Sequence, residues 1–128
     1  MKFVHVTIRT EKYTEELGFL QKVAGLRIVR DLRKIGQDIV FLSNAEGETD
    51  IEVINTPGSG SAGNKNLSIG FRSDAVEAKR KALIEMGMDV TPLISPVPNV
   101  QFFFVTDPAG VQVQFLQDGS KNGPGEEA

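Results

Sequence analysis

The sequence predicts an α+β fold built from two β-α-β-β-β modules, and three observations carry that prediction. The alternating segment Phe3-Val4-His5-Val6-Thr7-Ile8-Arg9 is matched by Asn66-Leu67-Ser68-Ile69-Gly70-Phe71-Arg72. Each runs into a stretch of helical period and then into three strand-like runs. Between the copies lies Thr56-Pro57-Gly58-Ser59-Gly60-Ser61-Ala62-Gly63-Asn64, which offers backbone freedom and little to bury. A duplicated unit directs attention to positions that the copies share.

The first module spans residues 1–55. Residues 3–9 put Phe3, His5, Thr7 and Arg9 on one face and Val4, Val6 and Ile8 on the other, a half-buried strand with a partly polar second face. Tyr13, Leu17, Leu20 and Ala24 recur at helical spacing, and Gly25 supplies a left-handed stop. Strands are expected over 26–33, 38–43 and 50–55, separated by turns at Lys34-Ile35-Gly36 and Asn44-Ala45-Glu46-Gly47. Residues 56–64 read as a linker.

The second module, 65–118, repeats the order. Ser73 and Asp74 are expected to cap a helix that carries Val76, Ala82, Leu83 and Met86 and ends near Gly87. Strands should follow over 89–95, 100–106 and 111–117, with Pro92 marking an edge or a bulge in the first of them. Asp107-Pro108-Ala109-Gly110 is a turn between the last two. Residues 119–128 read as a disordered tail.

Composition narrows the functional classes. The 128 residues are 40% hydrophobic and 24% charged, with a net charge of −3, which suits a soluble core-forming domain and argues against nucleic acid as a partner. No cysteine is present, so neither a disulfide framework nor a thiolate metal site exists, as fits a reducing compartment. No signal-peptide core and no membrane-length apolar run appear. The expected setting is the cytoplasm, with no membrane partner.

Several phrases of the chain resemble the vicinal oxygen chelate superfamily, which includes glyoxalase I, bleomycin and fosfomycin resistance proteins and ring-cleaving dioxygenases. They are His5 on the first strand, Phe19 through Val23-Ala24-Gly25-Leu26, Ile51-Glu52-Val53, Ile69-Gly70-Phe71-Arg72-Ser73-Asp74-Ala75-Val76-Glu77-Ala78, and Asp107-Pro108-Ala109-Gly110. The resemblance spans residues 1–117 and implies a single domain over 1–118. In it, two curved half-barrel sheets surround a cleft that takes a small-molecule ligand. It also implies a homodimer in which units of two subunits can share a site. Metal-dependent members carry ligands on the first and fourth strands of both units, which here are His5, Glu52, Ser68 and Gln114.

The residues at those positions qualify the implied chemistry. A glyoxalase-type lyase moves a proton with a carboxylate at the last of these places, and the carboxamide of Gln114 cannot do so. Ser68 stands where histidine is usual, and a neutral hydroxyl is a poor ligand for zinc or nickel. What remains for a divalent ion is His5, Glu52 and the amide oxygen of Gln114. His5, the only histidine, otherwise reads as an inward imidazole bonded to Glu52 without metal.

Two functions therefore stand open. One is a glyoxalase-like lyase, isomerase or epimerase of a small carbonyl compound, with a diverged metal site and Glu52 as the proton-transfer group. The other is a non-enzymatic binding protein of the bleomycin-resistance type. In either, His5, Thr7, Ser68 and Gln114 are candidate ligand contacts. Arg9 and Arg72 form a repeat-related pair that could hold an anion, and Phe103 offers an apolar wall.

Overall fold

The computed structural model describes residues 1–60 and 66–119. The chain divides into two compact units, Met1–Ala62 and Gly63–Ala128. Residues 61–64 of the expected linker, residue 65 at the start of the second module, and 120–128 of the expected tail lie outside the described residues.

The first unit runs β1 (His5–Thr10), α1 (Tyr13–Lys22), β2 (Arg27–Asp31), a 3-10 turn (Leu32–Ile35), β3 (Ile39–Ser43) and β4 (Asp50–Asn55). Its sheet has the order β1-β4-β3-β2, with β1 parallel to β4 and the other pairs antiparallel. Strand alternation sends Ile8, Val40, Leu42, Ile51 and Val53 to one face, where all are buried. α1 packs on that face and contributes Leu17, Phe19 and Leu20 to the same core, which the C-cap residue Val23 joins. Each such side chain is worth about 1.5–3 kcal/mol of burial. Glu16, also on α1, is fully buried. The helix stops at Gly25, whose φ of 74° only glycine adopts cheaply, and Leu26 N–H then closes back to Leu20 O at 2.9 Å.

The second unit runs β5 (Ser68–Arg72), α2 (Val76–Glu85), β6 (Gln101–Thr106) and β7 (Gln112–Gln117), with sheet order β5-β7-β6. Its core is Val76, Leu83, Phe103, Val105, Val113 and Phe115. Two expectations need correction. The predicted strand over 89–95 survives only as isolated bridges, Val90 to Val105 and Ile94 to Phe102. Pro92 lies between them and has no N–H to extend the ladder. The α2 N-terminus is capped otherwise than expected: Ser73 Oγ accepts from Ala75 N–H at 3.2 Å just ahead of the helix, Ala75 occupies the cap without a side-chain bond, and Gln117 Oε1 on β7 accepts from Val76 N–H at 3.0 Å. Among the described residues no helix is long and apolar enough to cross a membrane.

Candidate functional site

The face of the first sheet opposite α1 is polar. β1 and β4 set His5 opposite Asp50, Thr7 opposite Glu52 and Arg9 opposite Ile54. β3 adds Phe41, which pairs with Glu52 from the other side. Thr7 Oγ1 donates to Glu52 Oε1 at 2.6 Å, and His5 Nε2 stands 3.6 Å from that same oxygen. The Glu52 side chain is 16% exposed and that of His5 40%. A half-buried carboxylate thus has one oxygen fixed by a neutral hydroxyl, while no side-chain hydrogen bond to its second is seen among the described residues.

Phe41 forms the floor beside this group. The His5 ring meets it edge-on at 6.0 Å, and the Arg30 guanidinium carbon lies 4.3 Å above its ring centre. Arg30 reaches that position through a β-bulge. β2 pairs Arg27 with Ser43 and Ile28 with Leu42, then skips Val29 and pairs Arg30 with Phe41. In an unbroken strand, residues 27 and 30 face opposite ways; the extra residue brings both to the Phe41 side. An open cavity of about 380 Å³ adjoins the floor, lined by residues that include Lys2, His5, Arg30, Phe41 and Asp50.

The second unit repeats the register with different chemistry. Ser68 faces Gln112, Gly70 faces Gln114, Arg72 faces Leu116, and Phe104 pairs with Gln114. Gln114 therefore occupies the place of Glu52, Gly70 that of Thr7, and Phe104 that of Phe41. The extra residue of the first copy lies in the turn ahead of β4, as its six-residue connection from β3 against five from β6 to β7 shows. Gly70 leaves no hydroxyl to fix Gln114, and a Cβ there would lie 3.3 Å from Gln114 Oε1.

His5, Thr7 and Glu52 thus converge within the first unit, while Ser68 and Gln114 share a strand face in the second. Two ligand expectations change, and Arg9 keeps its place. Phe103 does not line a polar face; it is fully buried on the α2 side, 5.6 Å from Phe115, and Phe102 and Phe104 take the Gln114 face instead. Arg72 is held by Asp118 through Nε and Nη2 at 3.2 and 3.3 Å rather than poised for an anion. Arg9 is exposed at the far end of β1 from His5. Conversely, Arg30 escaped the sequence because the bulge breaks the parity by which strand faces are read. Asp50 shares the parity of Glu52, and that signal was there to use.

A divalent ion would need more donors than this group supplies. His5 and Glu52 are close enough to share one, but among the described residues no three His, Cys, Asp or Glu side chains converge. Oxygen Oε1 of Glu52 already accepts from Thr7, and Gln114 stands on the other unit. Two donors fall short of the three protein ligands of a catalytic zinc site. The first unit's residues do not by themselves fit a metal centre.

Comparison with known proteins bears on the fold. A trypanothione-dependent glyoxalase I from Leishmania major superposes with a TM-score of 0.75 at 17% identity, covering 92% of this chain and 87% of that one. An antibiotic-binding protein from a Streptomyces species gives a TM-score of 0.70 at 16% identity, over 93% and 98% of the two chains. A fosfomycin resistance protein from Mesorhizobium loti gives 0.67 at 14% identity, over 91% of each. No curated protein sequence matches. At these identities the likeness establishes the fold alone. The sequence itself matches one family over residues 2–115, and that span decides the assignment: the chain belongs to the Glyoxalase/Bleomycin resistance protein/Dioxygenase superfamily.

Proposed function

We propose that this chain is a small-molecule-binding member of its superfamily, with the polar face of the first sheet as the recognition surface. The observation that carries the reading is the Thr7–Glu52–His5 group, a half-buried carboxylate oriented by a 2.6 Å hydrogen bond beside an aromatic floor and an open cavity. Such a surface combines a few fixed polar groups with apolar area, the composition that organic ligands need. The antibiotic-binding Streptomyces protein of the same fold supports this reading by analogy. On it, binding does not require a divalent ion.

A thermal-shift screen of organic compounds, run with chelator and with added divalent ions, tests this. A ligand at about a hundred times its Kd should add roughly 2.7 kcal/mol of stability in chelator. Glu52→Gln and Thr7→Val should each reduce that gain. If every stabilising compound needs a metal, the reading is wrong.

A second reading is favoured by the same short hydrogen bond. Thr7 leaves Glu52 Oε2 available to take a proton from a carbon acid, which would make the protein a lyase, isomerase or epimerase of a small carbonyl compound. That reading expects Glu52→Gln to retain ligand binding while turnover falls by about 10²-fold or more. A homodimer belongs to both readings; light scattering that returns the mass of a single chain would exclude it.

A further inference from the structure

Three glutamines along β7 differ in what their carboxamides meet. Gln112 Nε2 donates to Thr106 Oγ1 at 2.8 Å, and Gln117 Oε1 accepts from Val76 N–H at 3.0 Å. The half-buried carboxamide of Gln114, between them, has no hydrogen-bond partner among the described residues. Unlike the phenolic oxygen of Tyr13 and Oδ2 of Asp107, its polar atoms are not sealed from solvent.

The neighbours of Gln114 indicate what the missing partner is. Gly70, its register partner on β5, has no side chain, and Gln114 Oε1 lies 3.3 Å from where a Cβ would stand. In the first unit Thr7 fills the matching place and holds Glu52, so the second copy lacks the group that would occupy its amide. On the other side Phe104 is the register partner of Gln114. The Phe102 ring meets that of Phe104 nearly at right angles, 5.8 Å between centres, and the two form an apolar corner. Among the strand residues of this face only Arg72 carries a charge, and Asp118 neutralises it across 3.2 Å. An unpaired carboxamide beside aromatic rings on an uncharged face calls for a neutral partner with a donor and an acceptor side by side. A carboxamide meets such an edge through two parallel hydrogen bonds. We propose that the open face of the second sheet binds an uncharged planar ring carrying a cyclic amide. The ring's N–H and C=O pair with Gln114 while its flat face lies against Phe104. This surface belongs to the second unit alone, so the proposal stands or falls apart from the reading of the first sheet.

Titrations of the full-length chain, followed through backbone amide resonances, test it with three probes: α-pyridone, N-methyl-α-pyridone and benzoate. The first presents donor and acceptor together, the second has lost the donor, and the third is charged. The unsubstituted pyridone should move the amides of Gly70, Phe104 and Gln114. It should bind about fivefold more tightly than either of the others, the worth of one neutral hydrogen bond. Gln114→Met, which keeps the length and removes both polar atoms, should abolish that preference. Equal binding of the two pyridones overturns the assignment, because ring stacking then suffices. Tighter binding of benzoate overturns it too, and so do resonance changes confined to residues away from this face. A chain that no probe perturbs overturns it as well. None of these outcomes touches the first-sheet reading, whose own reporters are the amides of Thr7, Phe41 and Glu52. Should Gln114→Met not fold, the comparison of the two pyridones on the unmodified chain decides the matter alone.

Discussion

Which oxygen of Glu52 is available depends on one hydroxyl. Thr7 Oγ1 holds Oε1 at 2.6 Å, so under either proposed function the edge of the carboxylate that would meet a ligand or proton is Oε2. A hydrogen bond to a charged partner contributes about 1.5–3 kcal/mol when buried, and the partial exposure of this pair places it at the lower end. Thr7→Val should therefore destabilise the protein by about 1–1.5 kcal/mol in urea unfolding. Thr7→Ser, which keeps the hydroxyl, should recover most of that. A valine variant as stable as the original would mean that the bond exists without consequence. Glu52 and His5 were legible as a pair through the family resemblance, which brings the first and fourth strands together, while strand parity put each on the polar face of its own strand. The hydroxyl between them was legible only as a face-sharing residue, because a hydrogen bond depends on a rotamer that parity does not supply.

Single elements were legible where the pattern is local, and were missed where a distant residue intervenes. The stop of α1 at Gly25 is written in one residue, and so is the equivalent stop at Gly87 with φ 80°. The α2 N-terminus misled because its cap comes from Gln117, 41 residues away on β7. Gln117→Leu should cost about 1 kcal/mol, the usual value of a lost cap, whereas Asp74→Ala should cost nearly nothing; chemical denaturation of the two variants separates them. The 3-10 turn after β2 has a cap that is local. Asp31 accepts from Arg33 N at 3.0 Å and from its guanidinium at 2.8 and 2.6 Å. Those bonds to Arg33 hold the Asp31 carboxyl down at about 2, below its ordinary 3.8. A depressed carboxyl stabilises the fold above its unfolded value and loses that contribution as pH falls toward the folded one. The stability difference between the native protein and Asp31→Asn should be constant near neutral pH and shrink between about pH 4 and pH 2. A difference that does not change over that window would mean that the pair is not formed in solution.

Across the whole molecule, the repeat preserved backbone register and let the side chains diverge. The register that sets Thr7 beside Glu52 also sets Gly70 beside Gln114, and each pair has its phenylalanine on the neighbouring strand. Duplication was readable in the sequence because strand period and helix stops are retained even where polar residues are not. The failed strand over 89–95 shows the limit, since a second copy can lose a strand to one proline without losing its core. If the strand spacing is truly equivalent, the missing hydrogen bond can be rebuilt in the second unit. Gly70→Thr alone should cost little, since the new Cβ meets only the movable end of Gln114 at 3.3 Å. Gln114→Glu alone leaves a carboxylate with no hydroxyl beside it. Combined, they should recover about 0.5–1.5 kcal/mol relative to the sum of the single changes, read as the coupling energy of a double-mutant cycle in urea. A coupling of zero would mean that the two strand pairs share register but not side-chain geometry. The asymmetry would then lie in the backbone as well as in the residues it carries.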